Sequence, residues 1–529
     1  MRSSVVITAS LALALTLTAP SLGAQTAEER PDLLVMISVD QLRADLVDRY
    51  ATVFAGGFKQ LLEKGYRFTG ASHAHAVTET AAGHATLSTG VFPSRSGIVS
   101  NNWAQKTGDT WTSTYALADS LSPVLGVQGV EGRSPANLIR TGLADWVLAA
   151  DPEARAVSLS AKDRAAITMA GKSRAEVYWL LAPLGRFVTS SYYRDEYPKW
   201  VTRFNEARMP EILGDTLWTE QVPERYRHLA RADSAPYEGD GVHTTFPHAA
   251  ALEADPGIQY YNSWALAQPR ADRAVQLLAQ EAVKEMKLGQ RGHVDYLGLS
   301  FSATDYVGHA FGPFSQEQFD NLMNLDRQLG ELFAYLDAEV GEGRWVVGLS
   351  ADHGVMTMPE YLVASGEDPD AVRVDARTRY GELQFALEEA AADGSTGDKL
   401  AEQAASLLES RGLVAKAYTH RDLTVGMPAD SFATLFRNSY YPGRAGGILS
   451  RLGIEVRFGY DNLISGATTG TTHGSAYWYD RHVPFMLMGP GVDHGVSDAA
   501  VYSVDLAPTL AGLAGISTPD DLDGKSVYR

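Results

Sequence analysis

The sequence predicts an α/β fold: a mostly parallel central sheet flanked by helices, with two insertions capping one edge. Three observations carry that expectation. Short, continuously apolar, β-branched runs recur along the chain, as in strands buried on both faces. Each run stops at a polar residue. Segments of helical periodicity separate the runs, and strands that alternate with helices imply a parallel sheet. The 529 residues, 45% hydrophobic and 21% charged, suffice for a large core.

In chain order, Arg2, the apolar run Val5–Leu17, Pro20 and small residues near Ala24 read as a secretory signal peptide over residues 1–24. Residues 25–529 are then one domain with insertions, periplasmic or secreted, and without a membrane span after cleavage. The first strand, in "DLLVMISVD", ends at Asp40. In "VTETAAGHATLSTG" a helix starts near Thr80 and ends at Gly90, a good C-cap residue. "ARAVSLSAKDR" runs into Lys162, "VDYLGLSFSATD" ends at Asp305, and "RWVVGLSADHG" ends at Asp352 and His353. "VPFMLMGPG" closes the series. Helical patterns occupy residues 261–288 and 315–340. The alternation breaks twice. Residues about 171–255, rich in Tyr, Trp and Arg and with a hairpin in "EVYWLLAPLGRFVTSSYY", form one insertion; residues about 366–470 form the other.

Composition narrows the chemistry. A formal net charge of −19, from 45 basic and 64 acidic residues, excludes a nucleic-acid binder. An anionic substrate would need local positive charge, from metal ions or a few placed Lys and Arg side chains. With no cysteine, disulfides, thiolate chemistry and Cys-type zinc sites are excluded. Any metal must be held by His and carboxylates.

Such residues stand where ligands collect in open α/β sheets, at the carboxyl ends of strands. His309 follows Asp305 by four residues, the spacing that shares one face of a helix. Asp352 and His353 are adjacent, Asp40 ends the first strand, and His473 stands in "TGTTHGS". Singly, each reads as a helix cap or an ordinary hydrogen-bonded side chain. Together, six side chains are enough for two sites of three protein ligands each, the layout of a two-metal phosphoryl-transfer centre. Of the five hydroxyls in 77–90, Thr80 sits at the helix N-terminus, where free N–H groups favour a phosphate. Threonine is a poor nucleophile unless a metal holds its alkoxide.

The ordered set "ISVDQLR", "TETAAGHATLSTG", "SATDYVGHAFGP", "LSADHGV" and "TTHGS" resembles the alkaline phosphatase superfamily over nearly the whole chain. That resemblance implies an alkaline phosphatase-like fold and two Zn²⁺ per chain. One would be held by Asp40, Thr80, Asp352 and His353, the other by Asp305, His309 and His473. Asn101 in "SNNWAQK", with Lys162 and Arg164, is similar to the phosphate-binding set of the exported, monomeric, phosphate-irrepressible alkaline phosphatases with a threonine nucleophile. The implied activity is hydrolysis of small phosphate monoesters, of broad range, through a phosphothreonine, with weaker phosphodiesterase activity. The alternatives are a phosphodiesterase or nucleotide pyrophosphatase on the same scaffold, and a non-catalytic periplasmic metal- or phosphate-binding protein. Ala82 departs from the nucleotide pyrophosphatase pattern, which often has proline there. His73, His75 and His84 read as packing residues.

Overall fold

The strand Leu33–Val39 (β1) is buried along its whole length because both of its faces are covered. Leu33, Val35, Ile37 and Val39 enter one core, and Leu34 and Met36 enter the other. That two-sided burial produces a continuous apolar run instead of an alternating one. The computed structural model describes residues 30–528 apart from 215–216, 240–242, 251–257, 427–429, 461 and 466–467. The signal peptide expected over residues 1–24 lies outside the described residues.

Around β1 stand β2 (Tyr66–Ser72), β3 (Ala156–Ser160), β4 (Glu176–Leu181), β5 (Arg186–Val188), β6 (Asp295–Phe301), β7 (Trp345–Ser350), β8 (Met486–Met488) and β9 (Gly495–Tyr502). Among the described residues they make one nine-stranded sheet in the order β9-β2-β8-β7-β1-β6-β3-β4-β5. The central run β7-β1-β6-β3-β4 is parallel, whereas β8 is antiparallel to both its neighbours and β5 is antiparallel to β4. The sheet is therefore mostly parallel, as the sequence predicts.

Helices cover both faces. The second core takes α1 (Thr80–Thr89) and α2 (Asp163–Met169), and the first takes α3 (Pro269–Met286) and α5 (Gln316–Leu336). Between the last two lies α4 (Ala303–Phe311), directly after β6. All ten residues of α1 are buried, which explains why eight of them are Ala, Gly, Ser or Thr. A Cβ at Gly83 would lie 2.1 Å from the Asp352 carbonyl oxygen, so the helix rests on the backbone that follows β7. Gly90 closes α1 at φ 66°, the left-handed region that glycine adopts without strain.

The register decides where the polar terminators meet. Ser38 of β1 is opposite Ser300 of β6 and Ser350 of β7, and Ser300 is opposite Ser160 of β3. Four buried serines thus form a row across the sheet. Asp40, Lys162, Asp305, Asp352 and His353 all follow within five residues of that row.

The two interruptions of the pattern differ in kind. The stretch read as an insertion from residue 171 begins with β4 and β5, the predicted hairpin, which extends the main sheet at its edge. The departure from the sheet starts after Val188. Within 366–470, α6 (Ala376–Ala390) and α7 (Gly397–Ser410) pack on each other through Leu383, Leu387, Ala404 and Leu408, a small core of their own. They lie beside an antiparallel pair, Lys416–Thr419 with Ile454–Arg457.

The start of α4 is fixed by one buried carboxylate. Asp272 of α3 accepts the N–H groups of Ser302 (2.7 Å) and Ala303 (3.0 Å). Burial pushes its carboxyl up to about 7, against those two bonds. A folded value above the unfolded one means that the folded protein holds the proton longer. The associated stability is complete below the ordinary carboxylate range and is lost as pH rises through 7. Asp272→Asn, which cannot ionise, should therefore gain stability relative to the wild type as pH rises from about 4 to about 7, and no further above about pH 8. Thermal unfolding of both proteins across that range checks it; an unchanging difference would show that Asp272 does not titrate there.

Candidate active site

The five hydroxyls around α1 are not equivalent. Thr78 donates to Ser475 O (2.9 Å), Thr86 to Ala82 O (2.8 Å), Ser88 to Thr168 O (2.8 Å) and Thr89 to Ala85 O (2.6 Å). Of the five, only the Thr80 hydroxyl has no hydrogen-bond partner among the described residues. Thr80 is the first residue of α1, after the extended Glu79. Asn101 lies against the same turn. Its Oδ1 accepts the Ala81 N–H (2.9 Å), and its own N–H donates to the Glu79 carboxylate (2.7 Å). The side-chain oxygen is thereby engaged, and the Asn101 amide NH₂ is its free donor end.

Three carboxylates meet above the serine row. Asp40 follows β1, Asp352 follows β7, and Asp305 lies in the first turn of α4; all three are buried. Three imidazoles face them in a common way. His353 Nδ1 donates to Gly354 O (2.9 Å), His309 Nδ1 to Thr471 O (2.8 Å) and His473 Nδ1 to Thr78 O (2.7 Å). A carbonyl can only accept, so each Nδ1 carries the proton and each Nε2 offers a lone pair in the neutral ring. His309 Nε2 lies 3.2 Å and His473 Nε2 3.6 Å from Asp305 Oδ1. His353 Nε2 lies 3.3 Å from Asp352 Oδ2 and 3.6 Å from Asp40 Oδ1. The His353 and His473 rings stack at 3.6 Å.

This donor set fits divalent cations. Lone pairs facing carboxylate oxygens repel unless a cation lies between them, and backbone-anchored imidazoles are the usual support of metal-binding histidines. Asp40 Oδ1, Asp352 Oδ2 and His353 Nε2 are buried without a hydrogen bond. The potential ligand atoms fall into two overlapping groups, Asp305–His309–His473 and Asp40–Asp305–His353, each within 4.8 Å. Burial, with His353 and His309 alongside, drives His473 well below the usual imidazole range and keeps it neutral. Burial also raises Asp40 well above the usual carboxylate range, with Asp352 adding to the effect and Lys162 opposing it. For Asp305 burial acts in the same direction, but Lys162 and His309 outweigh it and hold that carboxyl well below the range.

Lys162 and Arg164 follow β3 and reach the same place. The Lys162 ammonium is 2.7 Å from Asp40 Oδ2, pairs with Asp305, and lies 5.1 Å from the centre of the Tyr306 ring. Arg164 Nε is buried without a hydrogen bond. Both side chains line one cavity of about 200 Å³ with Arg133, Asp163 and Tyr306. Asp163 is engaged by Arg133 Nε (2.7 Å), which leaves Lys162 and Arg164 as the cations at the cluster.

A family model described as type I phosphodiesterase / nucleotide pyrophosphatase matches residues 34–444. The chain belongs to that family. Among its relatives, alkaline phosphatase PhoV of Synechococcus elongatus is 31% identical over 96% of this chain and 94% of its own length. Alkaline phosphatase PafA of Elizabethkingia meningoseptica is 30% identical over 96% of each chain. The crystal structure of PafA superposes with a TM-score of 0.85 at 28% identity, covering 94% of this chain and 98% of PafA. A second PafA structure, TM-score 0.84, carries substitutions of a threonine, an asparagine, a lysine and an arginine.

This member of the phosphodiesterase / nucleotide pyrophosphatase family also has site residues that sequence reasoning missed. Gln41 adopts φ 67°, uncommon for a residue other than glycine. Its backbone N–H donates to Asp352 Oδ1 (3.1 Å) and its side-chain amide to Asp305 Oδ1 (2.8 Å). Gly308 makes room for it: a Cβ there would lie 1.8 Å from Gln41 Oε1. His84, read from the sequence as packing, joins the helix to the cluster. Its Nδ1 donates to Thr80 O (2.9 Å) and lies 3.2 Å from Asp352 Oδ2, and its Nε2 meets the Ser300 hydroxyl at 2.9 Å. His73 and His75 bond each other (3.0 Å), and His73 Nε2 reaches Ala351 O (2.9 Å), one residue before Asp352. The i, i+4 spacing of Thr80 and His84 was the one local signal for this link.

Gln41→Gly keeps the left-handed backbone available and deletes only the amide. It should weaken divalent-cation binding by about tenfold or more, read by titration against a competing chelator. Unchanged affinity would reduce Gln41 to a packing residue.

Proposed function

We propose that the protein is an exported, zinc-dependent alkaline phosphatase that hydrolyses small phosphate monoesters of broad range and phosphodiesters more slowly. The observation that carries this reading is the end-to-end likeness to two proteins named alkaline phosphatases, PhoV and PafA. The uncommitted Thr80 hydroxyl and the Lys162–Arg164 pair support it. A second reading, phosphodiesterase or nucleotide pyrophosphatase, is favoured by the description of the family itself. A non-catalytic binding role leaves the free Thr80 hydroxyl without a purpose.

Asp40, Thr80, Asp352 and His353 would hold one zinc ion, and Asp305, His309 and His473 the other. Two such ions supply Lewis acidity for both the attacking and the departing oxygen of a phosphoryl transfer. The chain's own residues do the rest. Asn101 NH₂, Lys162, Arg164 and the Thr80 N–H bind the nonbridging oxygens and orient phosphorus. Thr80 Oγ1 attacks phosphorus in line and gives its proton to solvent, while the bond to the alcohol oxygen breaks and that oxygen takes up a proton from water. Water then attacks the phosphothreonine, which restores the Thr80 hydroxyl and releases inorganic phosphate. His84, bonded to the Thr80 carbonyl, fixes the helix turn that aims the nucleophile.

A monoester dianion presents more charge than a diester, so two cations beside the cluster favour the monoester. The PafA variant alters a threonine, an asparagine, a lysine and an arginine, the four residue types found here at Thr80, Asn101, Lys162 and Arg164. The proposed location follows from residues 1–24; no helix among the described residues is long and apolar enough to cross a membrane. The resemblance to monomeric phosphatases supports a monomer.

Thr80→Ala should lower kcat/KM for an aryl phosphate about a thousandfold or more. Lys162→Ala and Arg164→Ala should each lower it by about 10²-fold or more, and far less for the corresponding methyl diester. A diester preference in the wild type would move the assignment to the phosphodiesterase reading. Chelation should abolish turnover and also lower Tm, with zinc restoring both, because a ligand that binds only the folded chain stabilises it. A Tm indifferent to chelator and zinc would remove the metal from the reading.

A further inference from the structure

The alcohol portion of a substrate also needs a place, and a cavity of about 520 Å³ opens beside His309. Trp218, Trp264, His248, Phe311 and Tyr306 form much of its wall, and among the described residues no Asp, Glu, Lys or Arg lines it. The neighbouring cavities are different in character. The one beside His473 includes Arg457 and Asp480, and the one beside Lys162 includes Arg133, Asp163 and Arg164.

The aromatic walls are held in position. Trp218 Nε1 donates to Asp320 Oδ2 (2.9 Å), and His248 Nε2 pairs with Glu317 (3.0 Å) while its ring stacks on Phe311 at 5.2 Å. Two chain segments are pinned to the end of α4. The Gly239 N–H bonds Ala310 O (2.5 Å), the Thr471 N–H bonds His309 O (2.9 Å), and the Gly470 N–H bonds Tyr237 O (2.8 Å). Gly470 has φ 74°, and a Cβ there would lie 2.4 Å from His309 O. The cavity is thus formed before any ligand enters.

We infer that this cavity is the subsite for the alcohol portion and that it takes a flat, uncharged aromatic or heteroaromatic group. The inference rests on the monoesterase reading, in which His309 belongs to the leaving-group side. Its size is that of a small-molecule site. Aromatic walls favour a flat ring, whereas a charged group would lose its hydration and find no counter-ion among the described lining residues.

The test compares 2-naphthylethyl phosphate with n-butyl phosphate, both esters of primary alkanols, so that leaving-group basicity is matched. The wild type should favour the naphthyl ester by about tenfold in kcat/KM. Trp264→Ala, which removes a wall, and Ala267→Trp, which fills the cavity, should bring the two esters close to parity and leave butyl phosphate turnover unchanged. Saturation-transfer NMR reads the subsite without turnover: 2-naphthylethanol should bind the wild type and not Ala267→Trp. Parity in the wild type, or a preference that survives both substitutions, would overturn the inference and leave the monoesterase reading intact. Failure of the wild type to hydrolyse either ester would overturn that reading and the inference with it.

Discussion

Three carboxylates buried at one edge of a sheet are the constraint around which this molecule is organised. Asp40, Asp305 and Asp352 are at most a few per cent exposed, and the ion pairs at this point come from one ammonium, Lys162, and from imidazoles. Gathering negative charge in a dry site is strongly unfavourable unless cations share it. The opposite displacements of Asp40 and Asp305 express that tension, since the group nearer to the cations keeps its charge and the other is driven toward its neutral form. The same tension makes the cluster a strong attractor for divalent metal.

Rigidity follows from how the ligands are anchored. Each imidazole is oriented by a backbone carbonyl from a different segment: Gly354 after β7, Thr471 in the loop over α4, and Thr78 before α1. The helix that carries Thr80 is tied to the cluster twice, through His84 and through the contact of Gly83 with the Asp352 backbone. A shift of α1 would therefore move Thr80, the proposed nucleophile, and Asp352 together. Gln41 does the equivalent on the other side, where one residue in a strained conformation spans Asp305 and Asp352.

Around this core the three cavities divide the surroundings by charge. The basic one holds Lys162 and Arg164, the proposed partners of the phosphoryl oxygens, and the aromatic one, without charged side chains among the described residues, adjoins His309. In the proposed reaction, chemistry common to all substrates is confined to the cluster, while discrimination among alcohols falls to the walls contributed after Val188 and by the 469–472 loop. The division matches a scaffold whose relatives bear both phosphatase and phosphodiesterase descriptions.

What the sequence by itself determined was local: which runs are strands, and which residues end them. Asp40, Asp352 and His353 were legible because a buried parallel strand must be apolar throughout and its carboxyl end must turn polar; Asp305 and His309 were legible from helical spacing. Tertiary structure alone decided the rest. Whether β4 and β5 extend the sheet or leave it depends on pairing to Val157–Ser160, which no window around residues 176–188 reveals. The choice of Thr80 among five hydroxyls gained its physical support from Ser475, Thr168 and other carbonyls that engage the remaining four, one of them 397 residues away. Gln41 and His84 carry no signal as ligands because they act on other side chains. Hydrophobic periodicity is written along the chain, whereas the partners of buried polar groups come from across the fold.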